Sequence, residues 1–395
     1  MLGHRFNRRS ISPCWAGTRL IVFAAVCLLL TGVQAQTFTV LHAFQGPPDG
    51  YSPYGGVVLD RDGNLYGVTY TGGNYKNGVI YKVDPAGNET ILHRLSHHEG
   101  CCSSGSLLLD GSGNLYGTTS EAGSRNAGTI FELTRSGKLV VLHEFGQGGI
   151  PEEGARPLAG LIRDEVGNLY GTGSVGGNCC NGNIFKLNHA TKVETVLYAF
   201  GQLPDGFFPE APLTLDDAGN LYGTTGGGGL CCGTIFRLDP TGVETILWDF
   251  TGGSDGSGAT GLIRDSAGTL YGTTYAGGDK GGGTIFKLEQ SGAFTLLHTF
   301  GESVPDGFAS AAGLVADDQG NLYGTTVFGG LYGDGAVFKL SQDGAFTVVH
   351  SFAWGTDGAF PWAPLVRDAA GNLYGTATQG GDPLCDCGVV FKITP

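Results

Sequence analysis

From Thr37 onward the chain runs as short apolar segments separated by clusters of Gly, Asp, Asn and Ser. Within the segments, neighbours such as Leu and Tyr of "NLYGTT" fall on opposite faces of an extended backbone. The clusters between them mark turns. No long stretch after the first 35 residues carries a 3.6-residue apolar period. The pattern therefore predicts many short strands and many turns, an all-β chain.

The segments recur. The triplet "LYG" occurs seven times, with tyrosines at 66, 116, 170, 222, 271, 323 and 374, spaced 50, 54, 52, 49, 52 and 51 residues apart. A period of this size predicts a propeller or a solenoid. Each unit reads as four strands: an apolar run ending in Asp ("GLIRD", 261–265), then "NLYGTT", then "GTIFKL", then a run such as "ETILWDF" (244–250). Four antiparallel strands per unit make a propeller blade, whereas solenoid rungs are shorter. The chain ends complete the count. Residues 37–44, "TFTVLHAF", are a fourth-type strand with no first three before it; residues 388–393, "GVVFKI", are a third-type strand with no fourth after it. Pairing them yields seven blades and leaves no open edge. The expected fold is a seven-bladed β-propeller of four-stranded antiparallel blades, closed by strand 37–44 against strand 388–393.

Ahead of the repeats, Arg5, Arg8, Arg9 and Arg19 make a basic start before the apolar run Leu20–Leu30, which is too short for a comfortable membrane span. Small residues follow at Val33 and Ala35. This predicts a signal peptide over 1–35, cleaved after Ala35, and a single propeller domain over 36–395. The alternative is an uncleaved signal anchor. No second apolar stretch follows, so no membrane span is expected after cleavage. The protein is then secreted, periplasmic or extracellular in a bacterium, and expected as a monomer.

Composition narrows the function. The 72 glycines suit tight turns and close backbone approach. Without residues 1–35 the chain has 18 basic against 36 acidic residues, a net charge of −18 with His neutral. Nucleic acid needs a basic patch, so it is excluded as a partner. No G-x-S-x-G, P-loop or H-E-x-x-H motif is present.

The repeat "GNLYGTT…GG…GTIFKL…LH.F…DG" resembles the GloVer-type tandem-repeat family of secreted bacterial proteins, across essentially all of 37–393. The resemblance implies export and a repeat fold, often with varied C-terminal anchors, and no established reaction. This chain departs from the pattern by showing no such anchor. A weaker similarity is to kelch and NHL propellers: Gly-Gly pairs are present (Gly72-Gly73, Gly277-Gly278), but the later kelch Trp is not.

In a four-stranded blade the 2–3 and 4–1 loops share one face. Here they are the varied ones, and varied loops on a uniform scaffold are where binding concentrates. The 4–1 loops carry Asp-Gly at Asp49, Asp205, Asp255, Asp306 and Asp357, followed by aromatics that include Tyr51, Tyr54, Phe207, Phe308, Phe360 and Trp362. Carboxylates beside aromatic rings suit sugars or cations. The competing reading is that Asp-Gly only shapes turns and the rings only cover the blade tops.

Eight cysteines follow the first 35 residues: Cys101, Cys102, Cys179, Cys180, Cys231, Cys232, Cys385 and Cys387. An even count in an exported chain predicts disulfides, paired either locally or across blades. His97, His98, Cys101 and Cys102 are also a candidate Zn or Cu cluster, although five crowded residues with Glu99 match no standard spacing. No cofactor is expected. The leading expectation is a non-enzymatic propeller binding an extracellular glycan or a cell-surface protein. The alternatives are a carbohydrate- or lactone-acting enzyme with paired carboxylates near the channel, and a purely structural envelope or adhesion module. The enzyme requires two acidic groups converging near the axis; the binder requires a shelf of aromatics and acids without that pair.

Overall fold

The structure is a computed structural model that describes residues 36–146, 154–176, 180–201, 203–301 and 305–394. Segment 1–35, read above as a signal peptide, lies outside the described residues, as does Cys179.

Seven four-stranded antiparallel sheets form the seven blades. In blade 1 the strands are Val58–Leu59, Leu65–Val68, Val79–Val83 and Glu89–Arg94, from the channel outward. Blades 2 to 6 repeat the order. Blade 7 takes Val366–Arg367, Leu373–Ala377 and Val389–Thr394 from the end of the chain, and Thr37–Ala43 from its beginning. That closing pair runs antiparallel from Thr37 opposite Thr394 to Ala43 opposite Val389. The closure expected from the spare and missing strands is the one observed.

The repeated letters have physical reasons. The Gly after each "LY" lies opposite an aromatic of the third strand: Gly67 opposite Tyr81, Gly223 opposite Phe236, Gly375 opposite Phe391. A Cβ at any of the seven would collide with that ring. At six of the seven junctions the same ring meets the phenylalanine after the outer strand of the preceding blade, as in Phe200–Phe236 at 5.3 Å and Phe352–Phe391 at 5.3 Å, edge to face; Leu95 takes that place against Phe131. Both members are fully buried. Edge-to-face pairs add about 0.5–1.5 kcal/mol to the burial itself, so these pairs are the mortar between blades.

Each "LYG" tyrosine is held by the turn before its strand. Asp60 accepts the Asn64 backbone N–H at 2.8 Å, the Asn64 amide at 2.8 Å and the Tyr66 hydroxyl at 2.9 Å. The tyrosine–aspartate bond recurs in all seven blades. Gly63 in the turn sits at φ +85°, a region that costs a residue with a Cβ.

Candidate functional site

The loops that differ most in sequence share one backbone. In every blade the 4–1 loop pairs with the 2–3 loop of the same blade: Tyr51 with Thr71, Cys101 with Glu121, Ala155 with Val175, Phe207 with Gly227, Ser257 with Ala276, Phe308 with Phe328, Ala359 with Gln379. The next residue is left-handed seven times out of seven: Ser52, Cys102, Arg156, Phe208, Gly258, Ala309 and Phe360, at φ between 53° and 65°. For a non-glycine residue this costs about 1–3 kcal/mol. In blades 1, 3, 4, 6 and 7 two main-chain bonds hold it. The Phe208 N–H donates to the Asn181 carbonyl of the preceding blade, and the Phe208 carbonyl accepts from Gly226 in its own. Phe360 does the same with Asp334 and Thr378. The residue latches one blade to the next.

The five Asp-Gly aspartates lie at the rim of this face, each bonded within its own loop. Asp205 accepts the Gly201 N–H at 2.6 Å and the Tyr198 hydroxyl at 3.0 Å. Asp357 accepts the Ala353 N–H at 3.1 Å and meets His350 at 3.0 Å; Asp306 accepts the Gly301 N–H and meets His298. Asp49 accepts the Gln45 N–H and lies 3.6 Å from His42. Asp255 accepts both the N–H and the hydroxyl of Thr251. Glu99 fills the same place in blade 2, with Ser96 and His93. The "LHxF" histidines thus serve this loop as partners of the acid.

The proposed aromatics divide. Tyr51 packs on the hydrophobic core between blades, and Phe207 lies against Phe208 at 5.1 Å. Phe308 and Phe360 flank Phe328, at 5.4 and 5.5 Å. Phe328 is 6.4 Å from Trp362, which also neighbours Tyr54 at 6.2 Å and Tyr275 at 6.3 Å. Tyr54 continues to Tyr70 at 5.2 Å. An aromatic arc therefore runs over blades 1, 7, 6 and 5, with Trp362 at its centre.

Trp362 belongs to a ring that the sequence reading did not single out. Four residues after the loop Gly stand Tyr54, Ser104, Leu158, Glu210, Thr260, Ala311 and Trp362. All seven line a cavity of about 510 Å³ at the channel mouth and a second of about 250 Å³ beneath it. The lower cavity is walled by small residues such as Gly105, Gly160, Gly261 and Gly313. A Cβ on Gly105 would meet the Ala159 backbone, so small residues let the inner strands close the ring. Aligning the seven loop glycines and reading four residues on would have found it.

Glu210 is the one carboxyl lining either cavity, and no Lys, Arg or His joins it there among the described residues. It is open to solvent on one side, yet desolvation by the channel wall raises its pKa, partly offset by the Arg156 guanidinium. Arg156 itself pairs with Glu121 at 3.3 Å.

The candidate metal cluster is not gathered as the sequence suggested. His97 and His98 are exposed, with ring centroids 6.3 Å apart. The ligand atoms that converge belong to Cys101, Cys102 and Glu121, without either histidine. Burial pushes the Cys101 thiol up to about 12 and raises that of Cys102, which opposes the thiolate a metal needs. A second converging set, His42, Asp49 and Glu89, lies between blades 7 and 1. Among the cysteines, Cys231 is bonded to Cys232 and Cys385 to Cys387; Cys101 and Cys102 bring their sulfurs to 2.6 Å. These contacts are local, and the bond within Cys231–Cys232 leaves neither sulfur for a bridge to another blade.

A family model described as the Gloeobacter/Verrucomicrobia repeat matches residues 30–232 and 227–395. No curated protein matches the sequence. Among solved structures, a streptogramin B lyase superposes with a TM-score of 0.61 at 14% identity, covering 91% of this chain and 97% of that one. The extracellular domain of a two-component system protein from B. thetaiotaomicron gives 0.59 at 11% identity, covering 90% of this chain and 39% of the other. At these identities the likeness is one of fold.

Proposed function

The chain belongs to the Gloeobacter/Verrucomicrobia repeat family, and from that premise we propose that it is an exported, non-enzymatic propeller that binds a glycan at its channel mouth. The observation that carries this reading is the ring itself. Seven structurally equivalent positions hold seven residue types, and they line one cavity beside an aromatic arc. Sugars offer apolar C–H faces to such rings and hydroxyls to the polar members. The rim aspartates Asp49, Asp205, Asp255, Asp306 and Asp357 hold the loops in place, while Trp362, Tyr54 and Tyr275 meet the ligand. Phe308 and Phe360 support Trp362 through Phe328.

The enzyme reading finds less support. Glycoside hydrolysis uses two carboxyls about 5–9.5 Å apart, and Glu210 stands without a second one in the cavity lining. Export rests on the basic and apolar segment before Gln36; among the described residues no helix is long and apolar enough to cross a membrane. A glycan-array screen of residues 36–395 beside Trp362→Ala tests the reading. Saturable binding that Trp362→Ala abolishes is expected. Binding that survives the substitution would move the site away from the mouth, and no binding to any glycan would overturn the sugar.

A further inference from the structure

The mouth pairs aromatic faces with one carboxyl that has no partner. Trp362 and Tyr275 lie nearly parallel, at 16°, and Tyr54 flanks Trp362. Glu210, in blade 4, is three blades from blade 7 and so stands across the ring from Trp362. Its carboxyl makes no hydrogen bond or ion pair among the described residues, unlike the rim acids, each of which is bonded within its loop. The cation that acts on it, Arg156, is engaged by Glu121. The cavity lining offers no basic side chain to repel a cation and none to attract an anion.

We propose that the ligand at the channel mouth is an amino-sugar oligosaccharide with free amines, its ammonium paired with Glu210 and its ring faces packed on Trp362, Tyr54 and Tyr275. This rests on the glycan reading of the same site and adds the charge of the sugar. Three effects favour it together. A charge-assisted bond from an ammonium to a carboxylate is stronger than a neutral one. An ammonium beside Trp and Tyr faces gains cation–π attraction. The acidic surface of the whole chain raises the local concentration of cations. N-acetylation removes the charge, and with it all three.

The ammonium also restores to Glu210 the solvation that the channel wall takes away. Binding is therefore coupled to ionisation of Glu210. Arg156 is the one other charged group acting on that carboxyl. Affinity falls as pH drops through the raised Glu210 value, because the neutral acid no longer pairs with the ammonium.

The test is calorimetric titration of the protein at pH 7 with three probes: glucosamine hexamer, N-acetylglucosamine hexamer and glucose hexamer. The amine probe is expected to bind at least tenfold tighter than the other two. Glu210→Gln should erase that preference without lowering Tm, and Trp362→Ala should weaken all three probes. Equal affinity of the acetylated or neutral hexamer for the native chain overturns the amino-sugar inference and leaves the glycan site standing. An amine preference that survives Glu210→Gln reports only general acidity and also overturns it. No binding of any hexamer sinks both readings.

Discussion

The two faces of the propeller are built by opposite rules. On the face of the 1–2 turns, seven aspartates each hold a tyrosine hydroxyl, at 2.9–3.3 Å. Six also hold an asparagine amide; Thr269 stands in the seventh place. One solution is written seven times. At the channel mouth, the backbone is as regular, with seven left-handed residues and seven loop pairs. Yet the ring above it reads Tyr, Ser, Leu, Glu, Thr, Ala, Trp. Packing dictates a residue where every blade needs the same contact. Where the side chain faces an open cavity, packing dictates nothing, and the residue is free to be set by a ligand. Uniformity marks scaffold, and diversity on a uniform backbone is the basis of the proposed site.

The sharpest break of this contrast comes from the scaffold. Phe236→Ala removes a fully buried ring that bridges two blades and covers Gly223. It should cost about 3–5 kcal/mol, read as a lower urea midpoint. If Phe236→Ala instead left the midpoint in place, the inter-blade aromatic pairs would not be what binds the ring together.

A smaller loss is expected at the repeated turn. Asp216→Ala strands the Asn220 amide and the Tyr222 hydroxyl at a half-exposed position, for about 1 kcal/mol. Its pH dependence has a definite sign. Burial opposes ionisation of Asp216, but the Asn220 side chain and N–H, with Tyr222, hold the carboxyl below its ordinary value. A depressed folded pKa gives stability that is complete above the unfolded value of about 3.9 and lost as pH falls through the folded one. Native and Asp216→Ala chains should therefore converge in Tm under strong acid. Melts that stay parallel to the lowest pH would contradict the assignment.

The smallest effect has the opposite sign. Burial, with the nearby Asp205 charge, pushes Glu244 up to about 7; Glu89 is raised likewise to about 7 beside a depressed Asp49. For a raised carboxyl the folded state holds the extra proton. Stability is then full below the ordinary glutamate value and falls as pH rises from there to about 7. Glu244→Gln, which is neutral at every pH, should raise Tm at pH 8 and leave it unchanged near pH 4. A variant that lowers Tm at pH 8 would mean the carboxylate is stabilised there.

How much of this was legible depends on what repeats. The seven "LYG" triplets and the mismatched ends specify the blade count and the closure, because every blade repeats one set of contacts and one strand is moved from end to end. The rim aspartates and Trp362 were visible as residue types beside one another. Their separation into loop supports and cavity wall was not, because it depends on where each loop turns. The Asp205 carboxyl looked like a ligand group, but it is taken up by the Gly201 N–H of its loop and by the Tyr198 hydroxyl from the strand before it. Glu210 and Ser104 were invisible since neither belongs to a motif; only the shared backbone makes them equivalent. The histidines at 97 and 98 were close to Cys101 in sequence, but both face solvent.

The most direct measurement of the central claim joins the two faces in one experiment: glycan affinity and Tm, taken on the same preparations of the native chain, Trp362→Ala and Asp216→Ala. The account predicts that Trp362→Ala loses binding at a nearly unchanged Tm, while Asp216→Ala loses Tm and keeps its affinity. Binding retained in Trp362→Ala, or lost in Asp216→Ala while the chain is still folded, would contradict the assignment of the mouth as site and the turns as scaffold.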